Sequence, residues 1–219
     1  MTKSLLNIII LGPQGSGKGT QAERLEQRLH LEHIETGQIF RTMAGKNNAL
    51  GIKINNLINL KGRLLTTEFV IKILQSYLSK VPKDKGLIFD GYPRNLTQAR
   101  ALDRLLRLFN RRLTHVIYLP ISRGTTLTRL VRRRTCRHCN RKFILGVNLK
   151  KGATICPNCG GEIYQREDDK PRAISRRLSI YLKQTKPLIK YYKKQGILIT
   201  IDGEPPIPVV SKNILKYFS

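Results

Sequence analysis

The segment LLNIIILGPQGSGKGTQ, residues 5–21, decides the fold of this chain. Its first part, residues 5–11, is a short and largely β-branched apolar run, which is typical of a buried strand in a parallel sheet. A glycine-rich turn follows, and the helical spacing of Ala22, Leu25 and Leu29 predicts a helix from about Thr20. A strand, a loop and a helix in this order predict the start of a doubly wound α/β fold.

The turn between that strand and that helix has the composition of a phosphate loop. Glycines allow backbone N–H groups to approach phosphate oxygens, and the N-terminus of the following helix adds a favourable dipole. Lys18 is placed to reach the β and γ phosphates of a nucleotide. The loop departs from the general pattern in one place, because Gly19 follows the lysine directly and Thr20 comes one residue later. The segment therefore predicts a binding site for nucleotide phosphates.

Three further apolar segments, residues 86–90, 114–119 and 196–202, predict strands of the same sheet. Helical patterns over residues 68–80, 97–110, 125–134 and 174–192 alternate with them. This alternation predicts a parallel sheet with helices on both faces. Asp90 ends one of these strands at the edge where the nucleotide would lie, and an aspartate there can hold Mg²⁺ through water. Taken alone, an aspartate at a strand end is as often a turn residue.

Two stretches interrupt the alternation and predict the domain organisation. Residues 35–64 form a mostly helical insert, and residues 132–170 lose helical periodicity and contain several glycines and all four cysteines. We expect a core made of residues 1–34, 65–131 and 171–219, with a helical insert at 35–64 and a small β-rich metal module at 132–170.

The cysteines form two close pairs, Cys136 with Cys139 and Cys156 with Cys159, separated by 16 residues. Each pair fits a tight turn that aims both sulfurs at one point, and two such turns complete a tetrahedron. The spacing predicts a zinc ion. Two disulfides or an iron–sulfur cluster are the alternatives. With four cysteine ligands, no position stays open for a substrate, so the predicted zinc is structural.

The formal net charge of +27 indicates an anionic partner or simply a basic solvated surface. Weak, salt-sensitive association with RNA or another polyanion follows from the first interpretation. Residues 5–11 are too short for a membrane helix and lack the cleavage site of a signal peptide, so we expect a cytoplasmic protein without membrane contact.

Several ordered motifs together resemble the adenylate kinase family over nearly the whole chain. They are GPQGSGKGTQ (12–21), Thr36-Gly37 with Arg41, DGYPRNLTQA (90–99), RLVRRRTC (129–136), REDD (166–169), RRL (176–178) and YYKKQGILITIDG (191–203). The four-cysteine insert resembles the lid of the zinc-containing bacterial branch. The resemblance implies a P-loop nucleoside monophosphate kinase fold and the reaction ATP + AMP ⇌ 2 ADP with Mg²⁺. Because a closing lid needs no partner subunit, we expect a monomer.

The resemblance also implies a role for individual residues. The catalytic group would be Lys18, Arg94, Arg133, Arg166 and Arg177. ATP would contact Gly15, Ser16, Gly17, Lys18, Gly19, Thr20, Arg129 and Arg133, with Arg129 against the adenine. AMP would contact Thr36, Gly37, Arg41, Leu65, Gly91, Arg94, Gln98, Arg166 and Arg177. Within that set Arg41 and Arg94 would hold the phosphate, and Gln98 the adenine edge.

The implied chemistry suits these residue types, because a phosphoryl group in transfer spreads negative charge over its oxygens. Arginine's planar fork matches phosphate, and the AMP phosphate is already an anionic nucleophile that needs no general base. The sequence departs from the family at Gln14, where proline is usual, and at Gln38, where aspartate is common. Gln38 removes an expected partner of magnesium.

Other functions stay open at the level of sequence. A pyrimidine monophosphate kinase would use the same scaffold, although the amide of Gln98 suits adenine. A nucleic-acid-binding zinc ribbon would explain the basic charge, but the chain has no tryptophan and few aromatic residues for stacking on bases. A purely structural or interaction protein is not required by any motif.

Overall fold

The computed structural model describes residues 5–56 and 65–218 of the chain. Its strands are β1 (Asn7–Leu11), β2 (Glu32–Glu35), β3 (Leu87–Asp90), β4 (His115–Tyr118), β5 (Arg133–Cys136), β6 (Lys142–Ile144), β7 (Ile163–Tyr164) and β8 (Leu198–Thr200). Its helices are α1 (Lys18–Leu29), α2 (Thr36–Ala44), α3 (Ala49–Asn55), α4 (Thr67–Leu78), α5 (Leu96–Leu108), α6 (Arg123–Arg132), α7 (Pro171–Ile180), α8 (Pro187–Lys194) and α9 (Ile207–Leu215).

A five-stranded sheet in the order β2-β3-β1-β4-β8 forms the centre of the fold, and all its neighbouring strands are parallel. The four predicted strands all lie in it. Strand β2 was not predicted from the sequence. Because it stands at the sheet edge, only Ile34 of its four residues is buried, and the segment lacks the apolar run of an internal strand. The predicted α/β fold class is confirmed.

Alternate residues of the central strands build two separate cores, one on each face of the sheet. Ile8 and Ile10 of β1 pack with helices α1 and α9, whereas Ile9 and Leu11 pack with α4, α5 and α8. The alternation follows from the two-residue repeat of a strand. Because helices cover both faces of the sheet, a ligand can reach it at the edge where the parallel strands end.

The segment from 132 to 170 folds around a separate antiparallel sheet in the order β6-β5-β7. The prediction of a helix over 125–134 was wrong at its end. Helix α6 stops at Arg132, and Arg133 and Arg134 pair with Ile144 and Phe143 of β6. Pairing with a distant strand outweighs the weak local preference of three arginines for a helix.

The predicted helix over 174–192 consists of α7, a π-helical turn at Tyr181–Thr185, and α8 starting at Pro187. Proline has no backbone N–H to donate, so it is tolerated only in the first turn of a helix. Within residues 35–64, α2 and α3 are helices, and residues 57–64 lie outside the described residues. The assignment of 35–64 as a separate insert stays a prediction. Across 5–56 and 65–218, no helix has the length and apolarity needed to cross a membrane.

Candidate active site

A cavity of about 740 Å³ opens at the carboxyl edge of the central sheet. It lies between the phosphate loop, the segments that follow β2 and β3, and the antiparallel sheet of residues 133–164, which we call the four-cysteine module. Every residue predicted to bind nucleotide or magnesium lines it: Gly15, Ser16, Gly17, Lys18, Gly19, Thr20, Thr36, Gly37, Arg41, Leu65, Asp90, Gly91, Arg94, Gln98, Arg129, Arg133, Arg166 and Arg177. Their individual binding roles stay predictions.

The conformation of the phosphate loop requires glycine at two positions, because any other residue there would strain the backbone. Gly12 has a φ of 153°, and a Cβ there would lie 2.6 Å from the carbonyl oxygen of Leu119 in the strand-end segment beside it. Gly17 has a φ of 90° and caps α1. Positive φ is inexpensive only for glycine. The loop can therefore wrap closely around an anion and place it at the start of α1.

Lys18 is held by the loop itself. Its Nζ donates to the carbonyl oxygens of Gly12 at 2.9 Å and Pro13 at 2.7 Å. Burial lowers the pKa of this ammonium from 10.5 to about 8; nearby Asp90 opposes that shift, and surrounding arginines add to it. Ser16 Oγ is buried and has no hydrogen-bond partner among the described residues. A phosphate would supply an acceptor to Ser16 and a charge to Lys18.

The segments after β2 and β3 form the opposite side of the cavity. Glu35 and Asp90 end the two strands in register with each other. Thr36 is 1% exposed, and its hydroxyl donates to the carbonyl oxygen of Asp90 at 3.2 Å. Arg41 of α2 donates to Glu35 Oε1 at 3.0 Å and to Gln38 Oε1 at 3.1 Å. The sheet register thus places Asp90 and the arginine predicted to hold AMP on one side of the cavity.

Gln98 and Arg94 form a fixed corner of this side. Asn95 caps α5 by accepting from the backbone N–H of Gln98 at 2.8 Å. The side-chain oxygen of Gln98 accepts from the backbone N–H of Arg94 at 2.8 Å. Arg94 Nε donates to the carbonyl oxygen of Gly91 at 2.7 Å. Gln98 is 3% exposed, so its amide is oriented before any base binds.

Three arginines from distant segments meet two adjacent carboxylates. Arg133 binds Asp169 through two hydrogen bonds of 2.7 and 2.6 Å, and Arg166 binds Asp168 through two of 2.8 and 2.5 Å. Arg177 reaches both carboxylates, at 3.1 Å for Asp168 and 3.4 Å for Asp169. Burial would raise the pKa of Asp168, but the three arginines lower it to about 2. Paired carboxylates fix the guanidinium planes before a phosphate arrives.

Arg129 differs from these arginines because backbone carbonyls hold it. It donates to Gly15 at 3.3 Å, to Gly203 at 2.9 Å and to Glu204 at 2.8 Å. The guanidinium therefore forms part of the cavity wall beside the phosphate loop. A flat, oriented cation in this place suits stacking against a base.

The four cysteine sulfurs come together in the four-cysteine module. They all lie within 4.8 Å of one another and none is in a disulfide. Cys136 and Cys159 sulfurs are 3.5 Å apart, and those of Cys139 and Cys156 are 3.7 Å apart. A tetrahedron with Zn–S bonds of about 2.3 Å has edges of about 3.8 Å. The donor set and its dimensions fit a tetrahedral metal with four thiolates, and the disulfide alternative is wrong.

The charged residues of the site that were not identified from the sequence include Glu35, Lys142, Asp168 and Asp169. The last two stood in a quoted motif, but only its arginine received a role. A signal was available for these two aspartates. In a chain with so few carboxylates and so many arginines, a carboxylate next to arginines in the sequence is expected to form an ion pair with one of them. Lys142 and Glu35 carry no such signal, because 107 residues separate them and only folding brings them together.

Comparisons with known proteins agree with this geometry. Residues 10–197 match the family model described as Adenylate kinase. The chain is 41% identical to an adenylate kinase of Methanocella arvoryzae and 40% identical to one of Archaeoglobus fulgidus, each over 95% of this chain and 96% of the relative. It is 39% identical to an adenylate kinase of Alkaliphilus oremlandii over 96% of this chain and 97% of that relative. The chain belongs to the adenylate kinase family.

Proposed function

We propose that this protein transfers the terminal phosphoryl group of ATP to AMP, reversibly and with Mg²⁺, to give two ADP. The observation that carries this proposal is that the phosphate loop, the Arg41 and Arg94 corner and the arginine–aspartate cluster all open into one cavity. A donor phosphate at the loop and an acceptor phosphate at the corner would meet in front of the cluster. Two phosphates held in this way would lie close together and oriented for transfer.

The chain's contribution to the reaction is positioning and positive charge. Lys18 and the loop amides would hold the ATP phosphates, and Arg41 and Arg94 the AMP phosphate. Arg133, Arg166 and Arg177 would surround the group in transfer, where their charge offsets the negative charge spread over its oxygens. Asp90 would hold Mg²⁺ through water, and the ion would neutralise charge on the bridging phosphate oxygens.

The four-cysteine module is proposed to be a lid that is cross-linked by a structural Zn²⁺ ion. Its own core is small, made chiefly of Cys136, Phe143, Leu149, Cys156 and Ile163. A metal cross-link would replace the apolar burial that so small a unit lacks. We assign residues 132–170 to this lid, 35–64 to an AMP-binding insert, and 1–34, 65–131 and 171–219 to the core. A rigid lid that closes as a unit would exclude water and prevent hydrolysis of ATP.

The test of the reaction is ADP formation from ATP, AMP and Mg²⁺ by zinc-loaded protein. We expect ADP to form only when AMP is present, because the transfer needs an acceptor phosphate, which Arg41 and Arg94 would hold. A panel with UMP and CMP examines the role of Gln98, and AMP is expected to be the best acceptor. Faster turnover with UMP or CMP would instead indicate a pyrimidine monophosphate kinase, and no dependence on any monophosphate would contradict a kinase.

We also propose that the protein works as a cytoplasmic monomer and associates weakly with RNA. The net charge of +27 supports the RNA association, and such binding releases counterions and so depends on salt. Retention on immobilised RNA is expected at about 50 mM salt and is expected to be lost at about 500 mM. Equal retention at both concentrations, or none at either, would contradict this association.

A further inference from the structure

Lys142 connects the four-cysteine module to the opposite side of the cavity. It begins β6, and its Nζ donates to Glu35 Oε1 at 2.8 Å, with each side chain 22% exposed. A Cβ on Gly19 would lie 3.1 Å from Lys142 Nζ and 3.2 Å from Asp90 Oδ2. The side chain of Lys142 thus enters the cavity between the phosphate loop and the corner formed by Arg41 and Arg94.

Glu35 has a second partner, and that partner is Arg41. The same carboxylate oxygen accepts from Lys142 and from Arg41 at 3.0 Å. Burial would raise the pKa of Glu35, but Lys142 and Arg41 together keep it below its usual value. Glu35 therefore stays charged. A carboxylate bound to Arg41 competes with any phosphate that Arg41 is to hold, because both anions seek the same guanidinium.

Lys142 weakens this competition, because its ammonium shares the charge of Glu35 with Arg41. When the module lies over the cavity, the ammonium takes up the charge of Glu35. If the module moved away, Glu35 would lose this ion pair and keep its bond to Arg41. The electrostatic attraction that Arg41 offers to an AMP phosphate is therefore larger with Lys142 in place.

We propose that Lys142 is a positioning residue that makes AMP binding depend on closure of the four-cysteine module. This inference rests on the proposed function, since it assigns Arg41 to the AMP phosphate. By closing, the module would deliver Lys142 to Glu35, weaken the hold of this carboxylate on Arg41 and leave Arg41 more positive charge for the acceptor phosphate. Because such coupling is reciprocal, bound AMP would also favour the closed module and strengthen the binding of ATP.

The experiment compares AMP dissociation constants with and without a non-hydrolysable ATP analogue, in the wild type and in Lys142→Met. Methionine keeps most of the length of the side chain and removes its charge. In the wild type the analogue is expected to strengthen AMP binding. In Lys142→Met this gain is expected to shrink by about tenfold, whereas AMP binding without the analogue stays within about twofold. The KM for AMP should rise more than kcat falls.

Two further variants test whether the effect of Lys142→Met comes from the ion pair with Glu35. Adding Glu35→Gln to Lys142→Met removes the competing carboxylate, so AMP is expected to bind as tightly with the analogue as in the wild type, and to bind more tightly than in the wild type without it. Lys150→Met removes the same charge from an exposed position of the module and is expected to behave as wild type. Zinc content and the melting temperature verify that each variant is folded.

Several results would overturn the inference. An undiminished gain in Lys142→Met would show that the pair does not couple the two sides. Loss of analogue binding without AMP would show that Lys142 contacts ATP directly. Failure of the double variant to recover would assign the effect to the module's structure. Failure of the proposed function is separate, since the wild type would then form no ADP from AMP.

Discussion

Replacing Lys18 by methionine is expected to lower kcat/KM for ATP about a thousandfold. The Nζ of Lys18 lies in the curve of the phosphate loop, hydrogen-bonded to Gly12 and Pro13, where the donor phosphates would bind. Loss of one preorganised cation or donor from such a site costs about 10²–10³ in rate. Methionine preserves most of the apolar stem and removes the charge together with the two hydrogen bonds of the ammonium. Initial rates of ADP formation from ATP and AMP measure the effect.

The pH dependence of nucleotide binding distinguishes the effect of the charge of Lys18 from the effect of the size of its side chain. Burial lowers the pKa of Lys18 to about 8 when no nucleotide is present, so the ammonium is charged at pH 7 and mostly neutral at pH 9. Phosphate binds the charged form. The affinity of the wild type for an ATP analogue is therefore expected to fall by about tenfold between these pH values beyond any fall seen in Lys18→Met.

A lysine outside the site provides the matched control. Lys194→Met removes one exposed charge from α8 and is expected to keep the activity and the pH profile of the wild type. Equal pH profiles in the wild type and in Lys18→Met would contradict the role assigned to this ammonium. Activity of Lys18→Met within tenfold of the wild type would contradict it as well.

Replacing Cys156 by serine is expected to remove the metal and unfold the four-cysteine module. Zinc bound to four thiolates contributes apparent free energies of about 10–16 kcal/mol in small zinc-dependent folds. The apolar core of the module consists of only a few side chains, so little else would hold it. Zinc content should fall from about one ion per chain to near zero, and calorimetry should show the module melting before the core.

Activity is expected to fall with the metal, by about a hundredfold. Strand β5 begins at Arg133 and β6 at Lys142, so both cations lose their support when the module unfolds. Thr154→Ser changes an exposed neighbour of Cys156 without touching a sulfur and should leave zinc content, melting and rate unchanged. A zinc-free Cys156→Ser protein with wild-type melting and rate would contradict a structural metal.

Much of the central fold could be predicted because its signals are local. The apolar run before Gly12 predicts a buried strand, and the glycines with Lys18 predict the phosphate loop after it. The cysteine spacing likewise predicts a four-sulfur cluster, and the structure brings those sulfurs within 4.8 Å. In each case a few neighbouring residues carry the whole pattern, so no knowledge of distant partners is needed.

Other features depend on partners far away in the chain. Strand β2 is polar on its exposed side, and its pairing with β3 makes it a strand. Arg133 and Arg134 continue a helical pattern, yet pairing with β6 places them in a strand. The order of the five strands follows from how the crossover helices pack, which no single segment encodes.

By itself, the sequence predicted the α/β class, which is confirmed, the phosphate loop, a set of site residues implied by resemblance, and the cysteine pairs whose sulfurs the structure brings together. Only the tertiary structure decided which carboxylate holds which arginine, and that Lys142 of the four-cysteine module reaches Glu35 across the cavity. The physical reason is distance along the chain. Backbone conformation and burial leave a local pattern, whereas a charge finds its partner only after separate segments have been brought to the same cavity.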